Sequence, residues 1–228
     1  MILGRLLGVS TAGGALILST ACGTSHTASS AASPSPGSSA RSLSGKQLSS
    51  ALLTGKETHA AGYAVMQKPE VEEPTATDRS VTPLSCQPLL NALEGGRGAG
   101  YSALASEGLT ADAEHGGDRW LTLAHFHGDG AARFVNSVRT ALGSCASFSY
   151  PGKSGTAYVK KVAKVVVPAV GDDAVGFLAT LSPEVYWAVS IARHGNVTVA
   201  VTGGPDSSQP RIQAQILEQQ ITKLGALG

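Results

Sequence analysis

The chain has 228 residues, enough for one domain with appendages, and 42% of them are hydrophobic, enough for a packed core. Only 5% are aromatic, so Val, Leu, Ile and Ala must fill most of that core. Lys and Arg number 17 against 16 Asp and Glu, and no basic run exceeds Lys160-Lys161; this balance excludes the electrostatic footprint of a nucleic-acid binder.

Residues 1–21 read as a secretory signal. Arg5 supplies the positive start, and Leu6 to Leu18 form an apolar stretch diluted by Gly and Thr. A membrane span needs about 20 predominantly apolar residues, and this stretch is shorter. It ends Leu18-Ser19-Thr20-Ala21-Cys22-Gly23, which resembles the lipobox of bacterial lipoproteins. That resemblance implies cleavage before Cys22, lipidation of Cys22 and attachment to the outer face of the cytoplasmic membrane. From Cys22 to Ser42 the chain is nearly all Ser, Ala, Thr, Gly and Pro, without apolar periodicity. Such a segment reads as a disordered tether, and residues 43–228 as the folded domain.

In chain order, Leu43 to Thr54 reads as a short helix with Leu48, Ala51 and Leu52 on one side, ended by Gly55. Gly62 to Gln67 reads as a strand. Lys68 to Pro74 follows as a polar loop; its Glu70, Glu72 and Glu73 are a weak candidate for general acid–base chemistry. Cys86, Leu89, Leu90 and Leu93 fall at helical spacing, with Ser85 as the expected N-cap and Gly95-Gly96 as the stop. Tyr101 to Ala105 reads as an edge strand.

Arg119 to His127 reads as a strand with Trp120, Thr122, Ala124 and Phe126 on one face. Leu121, Leu123, His125 and His127 share the other. Two imidazoles on one side, with Asp129 behind them, make half of a metal site, and no second cluster completes it. After a turn at Gly128-Asp129-Gly130, Ala131, Phe134, Val135, Val138 and Leu142 mark one face of a helix that reaches Cys145. Asp129 is its expected N-cap. The chain has three cysteines. With Cys22 taken by lipid in an exported protein, Cys86 and Cys145 are left to form one disulfide.

Ser147 to Tyr150 reads as a short strand. Gly152-Lys153-Ser154 lacks the upstream glycine and the following helix of a phosphate loop, and reads as an ordinary turn. Thr156 to Val167 reads as one strand closed by Pro168, and Val175 to Thr180 as another. Glu184 to Arg193 and Val197 to Thr202 form a hairpin around His194-Gly195-Asn196. A three-residue loop, with Asn196 left-handed, would set Val197, Val199 and Val201 opposite Arg193, Ile191 and Val189. Asn196-Val197-Thr198 matches a glycosylation triplet, which a hairpin of a bacterial protein does not use. Pro210 to Leu224 is the last helix, with Ala214, Leu217, Ile221 and Leu224 as its apolar stripe.

This order predicts an α+β fold: a largely antiparallel twisted sheet with helices packed on it and one disulfide. At this level the chain resembles the PknH-like extracellular sensor domain of a mycobacterial receptor kinase, a domain shared by free-standing actinobacterial lipoproteins. The features that carry the resemblance are Leu53 through Gly62-Tyr63, Cys86 with Leu89-Leu90, and Phe134 through Leu142 to Cys145. Val170-Gly171-Asp172-Asp173-Ala174-Val175, Arg193-His194-Gly195-Asn196-Val197 and Lys223-Leu224 complete them. The kinase domain has two disulfides where this chain has cysteines for one. The resemblance implies a cleft that binds an unidentified extracellular ligand, and it carries over no catalytic residues; the expected partner is a small extracellular ligand or an envelope protein, and no cofactor or metal is expected. Two rival classes remain. A secreted hydrolase would need a nucleophile, and no Gly-x-Ser-x-Gly elbow is present. A structural partner of an envelope complex would need a large exposed apolar patch.

Overall fold

In the computed structural model, residues 42–74, 79–111, 117–203 and 210–227 are described, and residues 39–228 form one compact unit. The expected signal segment, Cys22 and the tether up to residue 41 lie outside the described residues. Nine strands and five α-helices follow in chain order. Two short helices, α1 (Gly45–Ala51) and α2 (Gly55–Ala60), precede β1 (Tyr63–Glu72). A 3₁₀ turn (Leu84–Cys86) leads into α3 (Gln87–Leu93), β2 (Ala103–Ala111), β3 (Arg119–His125) and α4 (Gly130–Ser144). Then come β4 (Phe148–Gly152), β5 (Gly155–Val159), β6 (Lys161–Val165) and β7 (Asp173–Ser182). The chain ends with β8 (Val185–His194), β9 (Val197–Gly203) and α5 (Pro210–Gly225).

Seven strands make one antiparallel sheet in the order β1-β2-β3-β9-β8-β7-β6, and β4 and β5 make a separate hairpin. Two meanders, β1–β3 and β6–β9, are thus joined along β3 and β9. Helices cover both faces, so the fold is α+β in three layers. Under α3 and α4 lie Leu104, Ala124, Phe126, Phe177, Ile191 and their neighbours. Under α1 and α5 lie Leu109, Leu121, Leu123, Val199, Val201 and theirs. Each Leu, Ile or Phe in these clusters contributes roughly 1.5–3 kcal/mol by leaving water.

The main helix forms as its periodicity predicts: Ala131, Phe134, Val135 and Val138 are buried against the sheet. Cys145 follows it, and a disulfide joins it to Cys86 with the Cα atoms 5.6 Å apart. Both residues are buried in the apolar cluster beneath α3 and α4.

Several local expectations are corrected. Gly55 opens a second helix instead of ending the first, because Thr54 and Glu57 close a capping box there, as Ser44 and Gln47 do for α1. Lys68 to Glu72 is not a loop but the second half of β1, where an edge strand tolerates Pro69. The strand after Tyr101 lies inside the sheet, between β1 and β3. Ser85 does not cap α3; it sits within the 3₁₀ turn, and Cys86 occupies the α3 N-cap position without a side-chain capping bond. Asp129 does stand at the N-cap of α4, but its carboxylate pairs with Arg133 instead of a backbone N–H.

The β-branched run from Thr156 breaks at Lys160. Val159 pairs with Phe148 in the hairpin, whereas Lys161 pairs with Thr180 in the main sheet. The β8–β9 loop has two residues, Gly195-Asn196, and Gly195 is left-handed at φ +58°. Val197, Val199 and Val201 therefore face His194, Ala192 and Ser190. The apolar-face criterion misled because both sides of these strands are buried, so neither register wastes apolar surface.

Candidate functional site

A concave site with several converging polar groups lies at the C-terminal end of β3. Its walls come from three separate segments, so it is built by topology and not by a motif. Phe126 and Phe134 form its floor, their rings stacked with centroids 5.7 Å apart. Asn91 of α3, His127, and Arg133 and Ser137 of α4 supply polar groups around it. The backbone of Gly98-Ala99-Gly100 forms the opposite rim. The cleft holds about 450 Å³, the size range of small-molecule sites.

The rim is held in place by charge pairs from outside the cleft. Gly95, at φ +70°, lets the loop press on β3; an added Cβ would meet Thr122 Oγ1 at 2.7 Å. Arg97 donates through Nε to Glu72 at 2.6 Å and through Nη1 to the Glu94 carbonyl at 2.8 Å, and it also pairs with Glu72 through Nη2. Arg79 donates to Glu94 at 2.8 Å, and burial holds the Glu94 carboxyl above its usual range despite that cation. The Tyr101 hydroxyl donates to the Glu73 carbonyl at 3.0 Å. The acidic run Glu70, Glu72 and Glu73 is thus spent on anchoring and on the exposed edge. Glu70 accepts from Gln67 at 2.6 Å.

The two histidines part company. His125 ends β3 on the α1/α5 side and is 2% exposed; His127 lies beyond the strand, exposed, in the cleft wall. Their rings stand edge to face, with centroids 6.0 Å apart. Among the described residues no group of three His, Cys, Asp or Glu side chains is placed to hold a metal. His125 Nδ1 instead bonds Ser102 Oγ at 2.6 Å, a contact that no sequence spacing announced. Burial, aided by the charge of His127, lowers the His125 pKa. A serine–histidine pair invites comparison with hydrolases, but the chemistry is incomplete. Among the described residues His125 Nε2 is buried without a partner, and none of their carboxylates orients the ring. Ser102 Oγ also donates to the His125 carbonyl at 3.0 Å, which makes the pair a clasp between β2 and β3.

Gly152-Lys153-Ser154 forms the turn of the β4–β5 hairpin and Asn196 the turn of β8–β9, as ordinary turns. Beneath α1, α2 and α5 the sheet buries a carboxylate that sequence reading did not single out. Glu107 of β2 is 1% exposed, and among the described residues its Oε1 has no hydrogen-bond partner. Burial pushes its pKa up to about 7; Lys223 acts against that shift and Glu57 adds to it. Lys223 Nζ in turn donates to Glu57 at 2.8 Å and to the Leu52 carbonyl at 2.6 Å. The bond from Lys223 holds the Glu57 pKa down to about 2.

No protein-family model matches the chain, and the comparison with curated proteins finds no relative. Among solved structures, the chain is similar to the extracellular domain of PknH from Mycobacterium tuberculosis. The TM-score is 0.60 at 17% identity, over 82% of this chain and 98% of that one. A looser likeness, at TM-score 0.41 and 13% identity, links it to a putative uncharacterized protein from Mycobacterium smegmatis, over 74% of this chain and 95% of that one. The shared element is the fold. The ordered motifs had pointed to the first of these domains, and the likeness is present at the level of architecture. Among the described residues no helix is long and apolar enough to cross a membrane.

Proposed function

We propose that the protein is a lipoprotein held at the outer face of the cytoplasmic membrane through Cys22, with a non-catalytic sensor domain that takes a small ligand in the cleft beside α4. The observation that carries this reading is the cleft itself, an apolar floor of Phe126 and Phe134 under the converging groups of Asn91, His127, Arg133 and Ser137. A few polar groups over an apolar floor orient a ligand and set its specificity. The likeness to a receptor kinase's extracellular domain supports the sensor part of the reading. The lipobox-like Leu18 to Cys22 supports the anchor.

The two parts are tested separately. Intact-mass analysis of membrane-extracted protein should give a chain that begins at Cys22 and carries at least two acyl chains, since one chain alone anchors only marginally. An unmodified chain beginning at Met1 would defeat the anchor. For the cleft, native mass spectrometry should find a small molecule retained by the purified protein. Ser137→Trp should fill the cleft and abolish that retention while moving the melting temperature by no more than about 2 °C. Retention of the same molecule by the variant would show that the cleft is not its site.

A further inference from the structure

The domain is electrically polarised along its sheet. From Gly130 to Gly171 the sequence holds Arg133, Arg139, Lys153, Lys160, Lys161 and Lys164, and no Asp or Glu. The two arginines are matched, by Asp129 and Asp173. The four lysines are exposed and enter no ion pair among the described residues. They stand at the β4–β5 turn, at the exit from β5 and on β6, the edge strand of the sheet. Between them Tyr158 is 61% exposed, and just past β6 Val166 is 95% exposed. Glu184, in the β7–β8 turn, is an acid at this end of the sheet. The opposite edge, β1, carries Glu70 and Glu72, with Glu73 next to it, against the single cation Lys68.

We propose that this lysine rim docks on an anionic lipid surface. Four features favour a membrane over another occupant. The free cations here are all Lys, whereas Arg79, Arg97, Arg133, Arg139 and Arg193 are held in defined pairs. Compact charges on flexible stems suit a diffuse field of phosphates, and Arg forks suit fixed carboxylates. The apolar side chains are spaced singly among the lysines, as in interfacial contacts, and do not form the contiguous patch of a protein interface. Strand addition to β6 is obstructed, because Val162 N–H already donates to the Ala146 carbonyl at 2.8 Å. Pairing with the acidic edge of a second copy is obstructed too, since β1 has two register shifts and Glu72 is held by Arg97.

The test uses the full chain, first with its own side chains. The protein is mixed with an excess of vesicles of phosphatidylcholine alone, or with phosphatidylglycerol added, so that contact does not depend on an anchor or on the cleft. Acylation of each lysine is then read by mass spectrometry. The anionic vesicles should slow the labelling of Lys153, Lys160, Lys161 and Lys164 several-fold while leaving Lys46, Lys56 and Lys68 unchanged. High salt should abolish the effect. A lysine near such a surface strengthens binding roughly fivefold, so Lys160→Glu with Lys161→Glu should weaken it at least about 25-fold and unmask Lys153 and Lys164. Equal labelling on both kinds of vesicle would overturn the proposal. So would protection of the rim in concentrated protein without lipid, which would mean that copies pair. Equal protection by a DNA duplex at matched phosphate would overturn it as well, since any polyanion would then serve.

Discussion

Replacing Cys86 and Cys145 together by alanine should lower the stability of the domain by about 4 kcal/mol. The bond closes a loop over a sequence separation of 59 that contains α3, β2, β3 and α4. Cutting it returns the entropy of that loop to the unfolded chain, while the native packing loses only two small buried side chains. For a domain of this size each kcal/mol moves the melting temperature by about 2–4 °C, so a drop of roughly 10 °C is expected. Reductant should reproduce the drop in the wild type and do nothing to the double variant. A melting temperature that moves by less than about 3 °C would mean that the unfolded chain gains little freedom when the bond is gone.

The second large effect belongs to Glu107. Its carboxyl titrates at about 7 in the folded protein against 4.5 for the free group. The folded state therefore binds its proton more tightly than the unfolded state does. The contribution of Glu107 to stability is fully present below about pH 4.5, falls as pH rises from there to about 7, and is flat above it. The full difference is about 3 kcal/mol. Glu107→Gln removes the ionisation and keeps the shape. It should stabilise the protein by about that amount at pH 8 and leave it nearly unchanged at pH 4.5. Glu57 works in the opposite sense and in a different window, because its contribution is present above pH 4.5 and is lost toward pH 2. Urea melts of both proteins from pH 2 to 8 would separate the two. Parallel curves across that range would show that Glu107 is hydrated when the protein is folded.

The sequence was most legible where one face of an element decides its place. The stripe of Phe134, Val135 and Val138 and the cysteine after it could only be a helix lying on a core. It was least legible where both faces are covered. In β8 and β9, Val, Ile and Ala occupy both sides, so alternation could not choose among hairpin registers, and the observed pairing was not the expected one. The run from Thr156 to Val167 shows the same blindness in another form, because β propensity cannot tell which of two sheets a residue joins. Glu107 was overlooked although its alternation with Ala105 and Leu109 put it in an inward register. The cleft escaped because Asn91, the Gly98–Gly100 loop, His127 and Arg133 share no motif.

The joint between β3 and β9 bears on how the chain reaches this structure. Of the ladders in the main sheet, it alone unites strands that are distant in sequence, Arg119 with Gly203 and His125 with Val197, while the other ladders join chain neighbours. Each meander can zip locally, but neither hides its inner edge strand alone. Closing that joint carries the largest loop entropy in the sheet, which is the part of a fold that limits speed. Its return is the sealing of both apolar layers at once, since Leu121, Leu123, Val199 and Val201 face one layer and Ala124 and Ala200 the other. Docking of the two meanders is thus the expected slow step of folding, and Leu123→Ala, which loosens that joint, should slow refolding more than it speeds unfolding in stopped-flow chevrons.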